Sequence, residues 1–368
     1  MKHIVISLFA AFFTLGLSAQ NTVIGVVNWD CSLPSNTYFG YYQTRSLSPA
    51  KYRYLTPYYA DVINRNKIDY HWRDVDEYSI EMQYAIDAGI DYFAYCWYGE
   101  IPNKRLPALV DDFKKCNDNC MHELAYARSL HVQSPLRDKL KLCAIVVVIH
   151  PYNEEELDNL ARTMKEDYYQ KACGRPLVYL FGGRGDKANM TPRLRAACQR
   201  MGADEPYFVV MGNRKLDTEG EFAVQALSEY NDKAENVKTY AAQKERMIEM
   251  NSIRVATGMN VIPLFTTGFD PSPRIDNRVP WGEGYPEVNY ALPATREELI
   301  DGGKALCDWI QENRSSCPTG HILTFAWNEF EEGGWLCPTW TSIGPDTSRI
   351  KTFRTITEYW RKNLDKRK

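Results

Sequence analysis

Apolar runs of strand length alternate along the chain with stretches whose apolar residues recur at helical spacing. The strand-like runs are Val23–Trp29, Ile90–Trp97, Leu140–Ile149, Leu177–Phe181, Tyr207–Gly212, Ala223–Tyr230, Val261–Phe265 and His321–Trp327. Leu140–Ile149 is almost unbroken in apolar residues, the pattern of a parallel strand buried on both faces. Ala223–Tyr230 has the weakest pattern of the eight. Gly89 stands just before the second run as a helix stop.

The helical stretches carry their own punctuation. Asp74-x-x-Glu77 reads as a capping box ahead of Met82, Ala85 and Ile86. Glu154–Tyr169 places Leu157, Leu160, Ala161 and Met164 on one face. Thr191 reads as a cap, with Pro192 at the first helical position of a helix running to Met201. Val237–Met250 and Ser348–Asn363 show the same period. Thr295-x-x-Glu298 is a second capping box, before Leu299, Leu306 and Ile310.

Strands alternating with helices predict a parallel sheet covered by helices, the α/β class, and eight units are the number that closes a (β/α)₈ TIM barrel. The alternative is an open doubly wound sheet, which usually carries a Gly-rich phosphate turn after its first strand. Here that strand ends in Asn28-Trp29-Asp30-Cys31 instead. No linker or low-complexity tract divides residues 20–368, so a single barrel domain is expected. Three connections are long: 30–73, 98–139 and 266–294. In a barrel they lie at the C-terminal face, where active sites are built. The first holds Tyr38, Phe39, Tyr41, Tyr42, Tyr52, Tyr54, Tyr58 and Tyr59. It is either a substrate-lining lid or a loop packed on its own side chains.

Composition adds limits. With 44% apolar and 25% charged residues, the chain is ordinary globular material. Met1-Lys2-His3, the apolar run Ile4–Leu17 and the small residues Leu17-Ser18-Ala19 read as a signal peptide, residues 1–19. Export to the periplasm or the exterior follows. No Cys stands at the cleavage point, so no lipid anchor is indicated, and no later segment is long enough to insert in a membrane. Removing the peptide takes the net charge from −3 to −4, which leaves no footprint for nucleic acid. Of ten Cys, Cys96 and Cys143 sit in strand runs as buried hydrophobes, and Cys307 and Cys317 are placed to pair across a helix end. Cys116-x₃-Cys120-x-His122 has no standard zinc spacing, and no metal is expected.

The densest chemistry is Trp327-Asn328-Glu329-Phe330-Glu331-Glu332-Gly333-Gly334-Trp335, at the end of the eighth run. Carboxyls this close repel, and burial raises the pKa of at least one. One protonated acid beside one ionised base is what glycosidic cleavage needs. The plainer reading is a solvated acidic turn. The Gly pair permits a tight turn or a ligand's approach. Glu329 and Glu332 are the candidate catalytic residues. Other strand ends offer substrate-binding candidates: Trp29, Asp30, Trp97, Tyr98, Glu100, His150, Asn213, Tyr230, Asp270 and Arg274, joined by Trp327, Asn328 and Trp335. Asp270 and Arg274 are also placed to pair with each other and brace their loop.

Thr324–Gly333 resembles the Asn-Glu-Trp-x-Glu-Gly signature of glycoside hydrolase family 99 and its WbsX-like relatives. Ala88–Tyr98 is similar to that family's second-strand segment, Gly174–Tyr179 to its fourth-strand entry, and Gly268–Arg274 to its Gly-Trp-Asp-x-x-Pro-Arg turn. The matches fall in order over residues 23–340. The resemblance implies a barrel related to retaining endo-α-mannosidases that need no cofactor and pass through a 1,2-anhydro sugar. Glu329 would act as base toward the sugar's 2-hydroxyl. Glu332 would protonate the leaving oxygen and later activate water. The ordinary alternative is a nucleophilic carboxylate about 5–5.5 Å from its acid. Two positions depart: Phe330 stands where the signature has Trp, and Glu331 where His is common. The expected function is therefore an exported glycoside hydrolase acting on an oligo- or polysaccharide. A glycan-binding barrel without turnover is the alternative. So is a glycosyltransferase of surface-polysaccharide assembly, though export separates such an enzyme from its activated sugars.

Overall fold

The computed structural model describes residues 21–30, 32–35, 37–99, 125–214, 223–231, 239–279 and 293–365. The expected signal peptide, Glu100 and the Cys116/Cys120/His122 group lie outside the described residues.

The chain is an α/β barrel. Its strands are β1 (Val23–Asn28), β2 (Tyr92–Trp97), β3 (Lys141–Val147), β4 (Arg175–Phe181), β5 (Tyr207–Met211), β6 (Ala226–Ser228), β7 (Asn260–Val261 and Leu264–Thr266) and β8 (His321–Phe325). Neighbours pair in parallel in that order, and β8 returns to β1 with Val23 opposite His321. Each expected strand is present within a few residues.

The seventh run differs from a continuous strand. Pro263 has no N–H to give to a ladder, so the strand breaks in two there. Its first half pairs with β6 (Val261 opposite Leu227), and its second with β8 (Leu264 opposite Leu323). Ile262 N still donates to Leu227 O at 2.9 Å, and Pro263 O accepts from Leu323 N at 3.0 Å. The break is thus the seam at which the cylinder closes.

The barrel interior is filled by large side chains. Tyr92 and Tyr179 are fully buried and share a hydrogen bond of 2.9 Å. A Cβ on Gly25 would lie 2.0 Å from the Tyr92 ring, so only glycine fits opposite that tyrosine.

The outer helices are α2 (Val75–Asp87), α3 (Tyr126–Gln133), α4 (Glu154–Thr163), α5 (Arg184–Met201), α6 (Tyr240–Ala256), α8 (Arg296–Glu312) and α9 (Ser348–Leu364); α1 (Tyr38–Leu47) and the short α7 (Ser272–Asp276) lie in the loops after β1 and β7. Between β5 and β6 the described residues contain no helix. The Thr295/Glu298 capping box is formed, and Asn153/Glu156 forms another. At α2, Asp74 accepts from Glu77 N, but the Glu77 carboxylate reaches Arg73 N rather than the cap. Helix α5 corrects the expectation at Pro192. The chain is already helical from Arg184, and Pro192 sits inside the helix. The stretch after α4 stops at Thr163 and turns back to pair beside β3, where Gln170 N donates to Leu142 O. Cys307 and Cys317 are both buried free thiols, not a disulfide. Of the tyrosine-rich first loop, Phe39, Tyr42, Tyr52 and Tyr59 are buried, while Tyr41 and Tyr54 are exposed. The loop is largely packed on itself.

Helix α2 also buries a carboxyl. Glu81 accepts from Trp327 Nε1 at 2.7 Å, and the Cys337 sulfur lies 3.8 Å from its other oxygen. Burial raises the Glu81 pKa well above the ordinary glutamate value, so the folded protein holds it neutral. The unfolded chain ionises it above about pH 4.3. Folding must then take up a proton, and stability declines as pH rises beyond that value by about 1.4 kcal/mol per unit until the folded group itself ionises. Glu81→Gln keeps an acceptor for Trp327 without that cost. Thermal unfolding of both proteins is expected to coincide near pH 4 and to separate at pH 7.5, with the variant melting higher. Equal melting temperatures at both pH values would refute the neutral-carboxyl assignment.

Candidate active site

Three loops meet above the C-terminal ends of β1, β7 and β8. The last carries the acids. After β8 the chain makes a short antiparallel ribbon, Asn328 opposite Trp335 and Glu329 opposite Gly334, joined through a single helical turn Phe330–Glu332. Gly333 closes that turn at φ +68°, and a Cβ there would lie 2.6 Å from Asp270 N. The Gly pair therefore serves a tight turn and a backbone-to-backbone approach: Asp270 N donates to Glu332 O at 2.6 Å.

Arg274, on α7, occupies the centre. Its Nη2 donates to Glu329 Oε2 at 3.1 Å, its Nε to Glu331 Oε2 at 2.9 Å, and its Nη1 to Glu332 Oε1. The guanidinium carbon lies 4.9 Å from the centre of the Trp29 ring, a cation–π contact. All three carboxyls and Arg274 are buried, each at most 5% exposed. The acidic turn is thus not a solvated one. Arg274 does not pair with Asp270 as the sequence suggested. Asp270 instead accepts from the backbone N and hydroxyl of Ser272 and starts α7.

Burial pushes Glu329 up, to about 8, reinforced by the neighbouring Glu332 charge and opposed by Arg274 and by the Tyr230 hydroxyl, which donates to Glu329 Oε1. Tyr230 is itself held between the rings of Phe181 and Phe325, 5.0 and 5.7 Å away. Burial raises Glu331 too.

The remaining candidates fall into groups. Trp29 Nε1 donates to Tyr98 Oη at 2.9 Å, and the Tyr98 ring lies 5.4 Å from His150. These residues join the ends of β1, β2 and β3 into one wall. Asn328 locks β1 to β8: its Oδ1 accepts from Trp29 N at 2.8 Å, and its Nδ2 donates to Trp29 O at 2.8 Å. Asp30 caps α3, accepting from Ala127 N at 2.9 Å; burial lifts its pKa to about 7 against the pull of Arg128. Trp97 carries the Arg128 guanidinium on its ring at 4.1 Å. Trp335 is buried under Arg349, 3.9 Å away. Asn213 lies half-buried after β5. Trp327 is fully buried behind the strand, 5.3 Å from Phe93 and bonded to Glu81. Ser46, on α1, was not legible as part of the site. Its Oγ donates to Glu331 Oε1 at 2.7 Å, and nothing in Gln43-Thr44-Arg45-Ser46 marks it.

Fold and site together describe a (β/α)₈ barrel of glycosidase-like fold with a buried carboxylate cluster at its C-terminal mouth. Solved structures with this fold include the glycoside hydrolase family 99 endo-α-mannosidase of Bacteroides thetaiotaomicron, at 15% identity and a TM-score of 0.53, covering 83% of this chain and 87% of that one. The same enzyme in complex with bis-tris propane aligns at 13% identity and a TM-score of 0.55, over 94% and 99%. At such identities the likeness is one of fold. No protein-family model and no curated protein matches the sequence.

Gly333→Ala tests the turn. A left-handed non-glycine residue and a collision with the Asp270 backbone are expected to cost about 1–3 kcal/mol. Denaturant unfolding should show a lower midpoint with an unchanged slope; an unaltered midpoint would contradict the close approach.

Proposed function

We propose that the protein is an exported glycoside hydrolase that cleaves an oligo- or polysaccharide, with Glu329 and Glu332 as its catalytic pair. The observation that carries this reading is the pair itself: two buried carboxyls on one guanidinium, at the end of a barrel where chemistry is done. Burial and the neighbouring Glu332 charge push Glu329 up to about 8. Two-carboxylate cleavage pairs a base with an acid, and the family resemblance gives those roles to Glu329 and Glu332 in turn. Export rests on the composition of Met1–Ala19.

The finer mechanism follows the family resemblance. Glu329, as carboxylate, takes the proton of the sugar's 2-hydroxyl. That oxygen forms a bond to C1 as the C1–O bond to the leaving sugar breaks, and Glu332 gives its proton to the departing oxygen. Water then attacks C1 and reopens the three-membered ring. Glu332 accepts the water's proton, and Glu329 returns its own to O2. Two inversions at C1 give net retention. A carboxylate with a raised pKa is a stronger base than an ordinary glutamate, which suits abstraction from an alcohol. Trp29, Tyr98 and His150 offer apolar and polar faces to a sugar beside the pair.

A second reading is a glycan-binding barrel without turnover. The hold of Arg274 on both carboxyls favours it, since substrate must displace those contacts. The two readings separate on one screen of α-mannans and other complex glycans for released reducing ends. Hydrolysis by the wild type, reduced about 10²–10⁴-fold in Glu329→Gln and in Glu332→Gln with the fold intact, is the expected result. Full activity in both variants would overturn the assignment, and binding without product would favour the second reading. The sign of the pH dependence is also fixed. Glu329 must be ionised to take the 2-hydroxyl proton and its pKa is pushed up to about 8, so turnover should rise as pH rises from neutral toward that value.

A further inference from the structure

Glu331 is the one acid of the cluster that the proposed chemistry does not use, and it is the most deeply buried, at 1% exposed. Both its oxygens are committed. Oε2 accepts from Arg274 Nε at 2.9 Å, and Oε1 from Ser46 Oγ at 2.7 Å. The geometry of a guanidinium gives the first contact its force. The group is planar and its five N–H bonds point in fixed directions. Once Nε–H is aimed at Glu331 and the guanidinium carbon sits over the Trp29 ring, 4.9 Å from its centre, the directions open to Nη1 and Nη2 are few. Those two nitrogens are the ones that hold Glu332 and Glu329. Ser46 is in turn fixed from a third direction, because Asn277 Nδ2 donates to Ser46 O at 3.3 Å and ties α1 to the end of α7.

We propose that Glu331, braced by Ser46, is a positioning residue: it orients Arg274 so that each terminal nitrogen of the guanidinium faces one carboxyl of the Glu329/Glu332 pair. This rests on the reading of that pair as catalytic. Its chemistry differs from that of its neighbours, for Glu331 exchanges no proton with substrate and acts through the arginine and through its own charge. Its negative charge also helps hold the Glu329 pKa up.

A positioning role and a proton-transfer role give opposite results in two variants. Glu331→Gln keeps an oxygen able to accept from Arg274 Nε; Glu331→Ala does not. Loss of the hold is expected to cost about 10²-fold in kcat, the scale of a misplaced catalytic group, with KM little changed. The glutamine variant should recover most of that loss. A proton-transfer role predicts that both variants are equally inactive, and that result would overturn the proposal. The second readout needs no substrate. Glutamate side-chain carbons labelled with ¹³C report the titration of the buried carboxyls in the intact protein. Removing the Glu331 charge in Glu331→Gln should move the titration of Glu329 down by about one pH unit. Ser46→Ala, which leaves all three acids, should move it by less. An unmoved titration in Glu331→Gln means that Glu331 does not act on the pair. If the wild type hydrolyses no glycan while the titration shifts as stated, the hydrolase reading fails and the positioning stands.

Discussion

The site depends on one buried guanidinium shared by three carboxyls. Ionised groups removed from water are costly unless paired and hydrogen-bonded. Arg274 answers this by giving Nε, Nη1 and Nη2 to a different glutamate each. Among the described residues these three acids share one cation. The excess negative charge and the lost hydration favour keeping a proton in the cluster, and this is why burial and Glu332 raise Glu329 despite the arginine. The same imbalance that costs stability makes Glu329 a stronger base than an ordinary glutamate. Residues from three loops must be in register for it to persist: Ser46 after β1, Arg274 after β7 and the glutamates after β8.

That register is built from the barrel upward. Asn328 clamps the ends of β1 and β8 through three hydrogen bonds to Asn28 and Trp29. Directly behind it, Trp327 is bonded to Glu81 of α2. The acidic turn is therefore anchored on one side to the neighbouring strand and on the other to the helical layer. The β7 loop meets it backbone to backbone, through Asp270 N and Glu332 O, because Gly333 has no side chain to hold them apart. Even the seam at Pro263 bears on this, since the strand leading to Arg274 is the one whose halves pair in opposite directions around the cylinder.

The strands were legible because each is an apolar run buried on both faces, a pattern that depends on local sequence alone. The caps at Thr295 and Asn153 form for the same reason: their partners are three residues away. What escaped depends on distant partners. Arg274 and Asp270 stand four residues apart and invite a pair, yet the arginine finds three acids more than fifty residues on. Glu81 is a glutamate on an amphipathic helix, normally a solvated position; only the Trp327 indole and Cys337 explain its burial. Ser46 is one hydroxyl in a polar stretch, with a partner 285 residues away. Pro192 looked like a helix start because proline favours first turns, but α5 has already begun at Arg184, and Met190 and Thr191 just before the proline are buried. The position of the acids was readable, whereas their shared arginine was not.

The departure at Glu331 is best understood through charge. A neutral imidazole there, as is common in the signature it resembles, would leave Arg274 with two carboxyls and an Nε–H whose acceptor would be an imidazole nitrogen. Glutamate adds a third negative charge and an acceptor with two oxygens, one for the arginine and one for Ser46. The second oxygen matters, since a buried carboxylate with an unpaired oxygen is costly. Ser46 satisfies it. Glutamate at this position is thus held by a hydroxyl on α1 and by Nε of Arg274. The pair Ser46/Glu331 is a single device, and its hold on Glu329 and Glu332 is transmitted through one arginine.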